Sequence, residues 1–206
     1  MVTCIRIELR GGGYFMINTF SETIIVPYLY SCTNIVTEVN KEFLDLTEYT
    51  WSELVGKSIK DVGNMLKFNL YHLEYKLNNK YSGYVFTKFL NALEVDISIS
   101  LGPETNSKLY TFVEKPNSRL NDKLIFVEQM FIDNISGVAV YSVPDLILLK
   151  ANQKYLNFTY PNNNKPENSI GKPISEVING FPGNPAEVIC NSVLVSQKAS
   201  YIKEFE

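Results

Sequence analysis

Histidine occurs once, at position 72, so any Ser-His-Asp or Cys-His catalytic arrangement has to use that one residue. A nucleophile elbow of the Gly-x-Ser-x-Gly type is missing as well, which leaves hydrolytic chemistry without its usual frame. Cysteine is scarce: Cys4, Cys32 and Cys190 are an odd number and contain no Cys-x-x-Cys pair. Neither a disulfide framework nor a thiolate zinc site follows from them, and reduced thiols are the expectation. No metal site is expected. Basic runs are absent and the net charge is -3, so there is no electrostatic attraction to phosphate backbones or anionic lipid. Nucleic-acid and membrane partners are therefore not expected. No apolar run has the length needed to cross a bilayer, and Arg6, Glu8 and Arg10 occupy the place where a signal peptide would be apolar. A cytoplasmic location is the expectation. Glycine-rich phosphate loops are missing too: the glycines after Arg10 are not followed by Lys-Ser or Lys-Thr, and Gly56-Lys57-Ser58 lacks the upstream glycine.

What is present is the composition of an ordinary globular protein, with 45% apolar and 20% charged residues. Aromatic residues are plentiful at 13%, with 13 Tyr and 12 Phe. They either line a cavity for a small apolar or planar ligand or fill a core. Acidic residues such as Glu38, Glu42, Asp45 and Asp61 are scattered, with no pair in an apolar setting that would raise one pKa for acid/base work. No catalytic residues are visible and an enzyme is not expected.

One stretch organises the chain. Residues 35–39 are apolar and β-branched, Asn40 ends the extended run, and Phe43, Leu44 and Leu46 then repeat at helical spacing. Thr50 and Glu53 form a capping box that starts a second helix, and Gly56 stops it where a left-handed residue is wanted. Read in order, Val39-Asn40, Phe43, Leu46-Thr47, Tyr49, Ser52-Glu53-Leu54 and Gly56-Lys57 resemble the centre of the PAS (sensory box) domain family, with Glu48 standing where that family has Gly. The tight turn before Tyr49 then has to be made without glycine. A second, weaker copy follows. Asn40-Lys-Glu-Phe-Leu44 recurs as Asn152-Gln-Lys-Tyr-Leu156, and Val55-Gly-Lys-Ser-Ile-Lys-Asp-Val62 recurs as Ile170-Gly-Lys-Pro-Ile-Ser-Glu-Val177. Two similar segments at nearly one offset argue for a tandem array of one fold.

The resemblance implies an α+β fold. Two PAS-like domains are expected, each a five-stranded antiparallel sheet with short helices on one face, the second lacking its last two strands, joined by a helix. Residues 1–22 form an N-terminal extension, 23–116 the first domain, 117–133 the connecting helix and 134–206 the second domain. In the extension, residues 3–9 alternate as a strand would and Gly11 to Gly13 break it. Arg-Gly-Gly-Gly shortly before Met16 also looks like a translated ribosome-binding site, which would place the native start at Met16.

In the first domain, strands are predicted at 23–31, with Pro27 marking an edge or bulge, and at 35–39. Helices follow, the last over 70–77 with Leu70, Leu73 and Leu77 on one face. Three strands come next, at 84–89, 93–101 and 109–113, the middle one in strict alternation over nine residues. The connecting segment places Leu120, Leu124, Val127 and Phe131 at spacings of four, three and four, an a/d seam. It serves either as a lever and dimer contact, as the resemblance implies, or as an amphipathic helix lying on its own domain. In the second domain, strands are predicted at 137–142 and 146–150, a helix at 153–158, a loop at 159–165 and a helix opened by Asn184-Pro-Ala-Glu187. A last strand begins at 201. A sheet short of two strands leaves an open edge, so this domain should be marginal, dimeric by strand exchange, or part of a longer protein.

The implied function is that of a sensor region such as those of bacterial histidine kinases in two-component systems. It would bind a small ligand or a partner, act as a homodimer and relay to an effector domain outside this chain. Tyr28, Phe43, His72 and Tyr155 are the pocket candidates. No cofactor is predicted; the alternative is a haem or flavin chromoprotein, with haem held through His72, since haem-binding members take their axial histidine from the equivalent helix. The flavin-photoreceptor motif Asn-Cys-Arg-Phe-Leu has no match.

Overall fold

The computed structural model describes residues 6–8, 14–19, 22–73, 80–116, 119–120, 128–133, 136–183 and 185–199. The chain divides into two units, residues 1–122 and 123–206.

In the first unit, β1 (Arg6–Glu8), β2 (Tyr14–Thr19) and β3 (Glu22–Ile25) make a three-stranded antiparallel sheet of their own. The single strand predicted over 23–31 is in fact two strands in two sheets. Pro27 has no N–H to give to a ladder, so β3 ends at Ile25 and the chain enters a second sheet as β4 (Tyr28–Cys32). Nor is β4 an edge strand: it lies between β5 (Ile35–Val39) and β8 (Ser107–Glu114), and the Pro27 carbonyl still accepts from Phe112 N–H at 2.9 Å. With β6 (Lys80–Phe86) and β7 (Ala92–Leu101) the antiparallel sheet runs β5-β4-β8-β7-β6.

Four short helices connect β5 to β6: α1 (Lys41–Thr47), α2 (Trp51–Leu54), α3 (Ile59–Met65) and α4 (Leu70–Leu73). Their starts are set by side chains. Asn40 caps α1, the Thr50 N–H donates to the Glu53 carboxylate at 2.9 Å, and Ser58 accepts from the Asp61 N–H at 3.1 Å. Gly56 takes the expected left-handed turn at φ 86°. Glu48 ends α1 in the same region, at φ 63° and ψ 14°, so a side chain occupies the conformation that glycine adopts most readily. The helices bury Phe43, Leu54, Ile59, Val62, Leu66 and Leu70 against Leu29, Val95, Ile97, Ile99, Tyr110 and Phe112 of the sheet. The alternation predicted for 93–101 is what delivers Leu93, Val95, Ile97 and Ile99 to one face. The strand predicted at 84–89 begins earlier, at Lys80, and stops at Phe86, because Leu90 turns the chain with φ 64° and leaves Phe89 exposed. Leu77 of the helix predicted over 70–77 lies outside the described residues, as do Leu124 and Val127 of the connecting seam.

The second unit contains α5 (Glu128–Asp133), a two-stranded sheet of β9 (Ala139–Tyr141) and β10 (Leu148–Ala151), then α6 (Gln153–Leu156), α7 (Pro166–Ser169), α8 (Ile174–Val177) and α9 (Pro185–Ser196). The loop predicted at 159–165 holds a 3-10 turn, and α7 after it was not foreseen. The buried apolar residues described in this unit are Leu148, Leu149, Leu156, Ile170, Ile174 and Val177. Lys150 places its ammonium 5.1 Å from the centre of the Phe131 ring of α5.

The two units share a hydrogen-bond frame. In the first, Asn40 Oδ1 accepts from Tyr28 N–H (2.8 Å) and Phe43 N–H (3.0 Å), and its Nδ2 donates to the Val26 carbonyl (2.8 Å). In the second, Asn152 Oδ1 accepts from Val138 N–H (3.0 Å) and Tyr155 N–H (2.9 Å), and its Nδ2 donates to the Ser136 carbonyl (2.7 Å). The register irregularity between Tyr30 and Ser31 in the β4–β5 pair recurs in β9–β10. Val36 N–H to Lys57 O and Gly56 N–H to Val36 O are matched by Leu148 N–H to Lys172 O and Gly171 N–H to Leu148 O. Gly56 and Gly171 both have φ 86°.

Candidate functional site

Of the four pocket candidates, the three in the first unit do not converge. Phe43 follows the Asn40 cap by three residues, which turns it inward, and its ring meets that of Phe112 at 4.9 Å between centroids. Tyr28 neighbours Leu29 in β4, so strand alternation sends it to the other face of the sheet, where it is buried with Val26 and Leu109. Its hydroxyl donates to Glu38 Oε1 at 2.5 Å. His72 is exposed; on α4 the inward positions are Leu70 and Leu73, and the His72 N–H donates to the Asn69 side chain at 3.1 Å. Tyr155 belongs to the second unit, where its hydroxyl lies 2.7 Å from that of Tyr141. Burial and this contact raise the pKa of Tyr141, and burial raises that of Tyr155, so both stay neutral phenols.

Between helices and sheet in the first unit the space is occupied by Phe43, Tyr110, Phe112, Leu54 and Leu66, all fully buried. Among the described residues, hollows lie elsewhere. A groove of about 410 Å³ opens where β4 begins and β8 ends, with Pro27, Leu46, Phe112 and Val113 in its lining and the carboxylates of Glu42 and Glu114 at its margin. Arg119 lines it too, its Nε donating to Glu114 Oε1 at 3.2 Å. A smaller hollow of about 130 Å³ shares Asp45, Leu46 and Arg119 and is also lined by Leu120, the first seam residue. Arg119 and Leu120 thus line hollows whose other walls include Asp45 and Leu46 of α1. Sequence reasoning missed this groove because its walls come from four separated segments, and none of them carries a motif.

Several charges on the rest of the unit are paired. Lys88 donates to Glu53 at 2.7 Å, joining α2 to the turn after β6, and this bond with those from Thr50 holds the Glu53 carboxyl down at about 2. Asp96 is held below its ordinary range by Lys80 and Ser82, and Lys115 is raised by Glu94. Among the described residues no three His, Cys, Asp or Glu side chains are grouped to hold a metal ion. No described helix is long and apolar enough to cross a membrane.

The strand order, with four short helices inserted between the second and third strands of the sheet, defines a PAS-like α+β fold for the first unit. Solved structures similar to the chain include three domains of this kind. The PAS domain of an HTR-like protein from Haloarcula marismortui is 15% identical over 44% of this chain and 81% of its own, with a TM-score of 0.37. A PAS domain from a two-component sensor histidine kinase is 17% identical over 44% and 85%, with a TM-score of 0.34. A light-oxygen-voltage domain studied with a flavin analogue is 13% identical over 52% and 88%, with a TM-score of 0.33. No protein-family model matches the chain, and no curated protein matches it.

Proposed function

We propose that the chain is a sensory module of a signalling protein, in which a PAS-like unit responds to a small ligand or a partner and relays the change through residues 117–133 to an output domain outside these residues. The second unit is a partial second copy of the same fold, and the module works as a homodimer in the cytoplasm. The observation that carries this reading is that Arg119 and Leu120 line hollows shared with α1, with Arg119 bonded to Glu114 at the end of β8. A shift of α1, which holds Phe43 in the core, would move the start of the connecting segment with it.

Two measurements test the proposal. Leu124→Lys puts a charge in the a/d seam and is expected to weaken dimers in sedimentation equilibrium; an unchanged association constant removes the lever and dimer role. Native mass spectrometry of the purified chain, with an absorption spectrum, is expected to show a bound small molecule without a haem or flavin band. A haem band that disappears in His72→Ala would replace this reading with the chromoprotein one.

A further inference from the structure

The groove where β4 begins and β8 ends combines apolar surface with unbalanced charge. Val26, Leu46 and Phe112 in its lining are buried, whereas Val113 is 46% exposed and leaves apolar area for another body to cover. Glu42, Asp45 and Glu114 line the same groove against a single cation, Arg119. Two of these carboxylates have partners: Asp45 is paired with Lys41, and Glu114 accepts from Arg119 Nε at 3.2 Å. Glu42 is half-buried, yet it makes no hydrogen bond or ion pair among the described residues. Its chain neighbour Lys41 is committed to Asp45. A carboxylate partly withdrawn from water attracts an opposite charge more strongly than one in bulk solvent.

We infer that this groove binds a small organic monocation, with its ammonium group donating to the Glu42 carboxylate and its apolar body lying along Pro27, Leu46 and Val113. Charge balance selects that class. With Asp45 answered by Lys41 and Glu114 by Arg119, the Glu42 charge is left over. An anion would be repelled by it, and a neutral body would take water from the carboxylate without giving it a partner. An ammonium supplies a charge-assisted hydrogen bond, about twice as strong as a neutral one. The volume of about 410 Å³ lies within the roughly 300–1,000 Å³ of small-molecule sites. This site is separate from the space between helices and sheet, which Phe43, Tyr110 and Phe112 fill. It does not rest on the sensory reading: its failure would leave the relay through residues 117–133 to the tests given above.

The test is amide NMR of the whole chain titrated with hexylamine, which is protonated at neutral pH, and with hexan-1-ol, an uncharged body of the same length. The expected result is hexylamine-induced shifts at residues 26–27, 42–46 and 112–114, with hexan-1-ol binding about tenfold more weakly or worse. Glu42→Gln should weaken hexylamine by about the same factor. Glu42 stands in the first turn of α1 and holds no other group, so this variant is expected to fold, with its spectrum unchanged outside the groove. Val113→Lys, at an exposed strand position, places a cation in the groove and should also remove binding. Four results overturn the inference. They are no shifts at millimolar hexylamine, equal affinity for hexan-1-ol, a folded Glu42→Gln or Val113→Lys variant that binds as wild type does, or nuclear Overhauser contacts from residues 121–127 to Leu46 in the free protein. The last would assign the groove to the chain's own segment.

Discussion

Glu48 and Gly63 are single residues at which a small change has a computable sign. Glu48 holds φ 63°, a conformation that costs a side chain about 1–2 kcal/mol, while glycine there costs about 0.5–1 kcal/mol of extra unfolded-state entropy. Glu48→Gly is therefore expected to raise stability by about 0.5–1 kcal/mol in urea titrations. Gly63 has the opposite sign. Alanine would gain about 1 kcal/mol of helix propensity, but its Cβ would lie 2.6 Å from the Phe68 carbonyl oxygen, a backbone atom that cannot turn aside. Overpacking of that kind costs about 1–3 kcal/mol, so Gly63→Ala should destabilise. At Glu53 the bonds from Lys88 and Thr50 to the charged form hold the folded carboxyl down at about 2, below the 4.5 of an unperturbed glutamate. Its contribution to stability is complete above pH 4.5 and is lost as the pH falls through about 2. Carboxyl NMR titration should give that midpoint, and Lys88→Met should move it back up.

Asn40 and Asn152 show what one side chain does for an element. Each caps a helix and at the same time binds the N–H of a residue at or just before the start of an earlier strand, Tyr28 or Val138, and the carbonyl two residues before that, Val26 or Ser136. Loss of a cap costs about 1 kcal/mol and each orphaned buried group about 1–3 kcal/mol more, so Asn40→Ala should cost about 3 kcal/mol or above. Asn40→Asp keeps the acceptor for both N–H groups and loses only the donor to Val26, and is expected to fall between alanine and wild type. The helices and the strand at 93–101 were legible because their signals are local: caps, a left-handed glycine, and a period of two. The strand at 23–31 was misread because an apolar, β-branched run looks the same whether or not Pro27 sends its halves to different sheets.

Each of the two units has its own buried residues, so the whole molecule is expected to unfold in two calorimetric transitions. Asn40→Ala should lower one and Asn152→Ala the other; a single transition shifted by both would contradict two cooperative units. The repeat was visible in the sequence through Asn40 and Asn152, Gly56 and Gly171, because caps and left-handed turns demand particular residue types wherever they occur. Residue chemistry alone does not say where the pocket candidates lie: Tyr28, Phe43 and His72 occupy three different settings of one unit and Tyr155 is in the other. From the sequence alone came the order of the helices and strands around Asn40, the turn positions and the recurrence of one short motif at Asn152, since backbone sterics and capping act over a few residues. Only the tertiary structure decided which face each aromatic occupies, that β4 is covered on both sides, and that a groove forms around Arg119, because those follow from strands and helices distant in the chain being brought together.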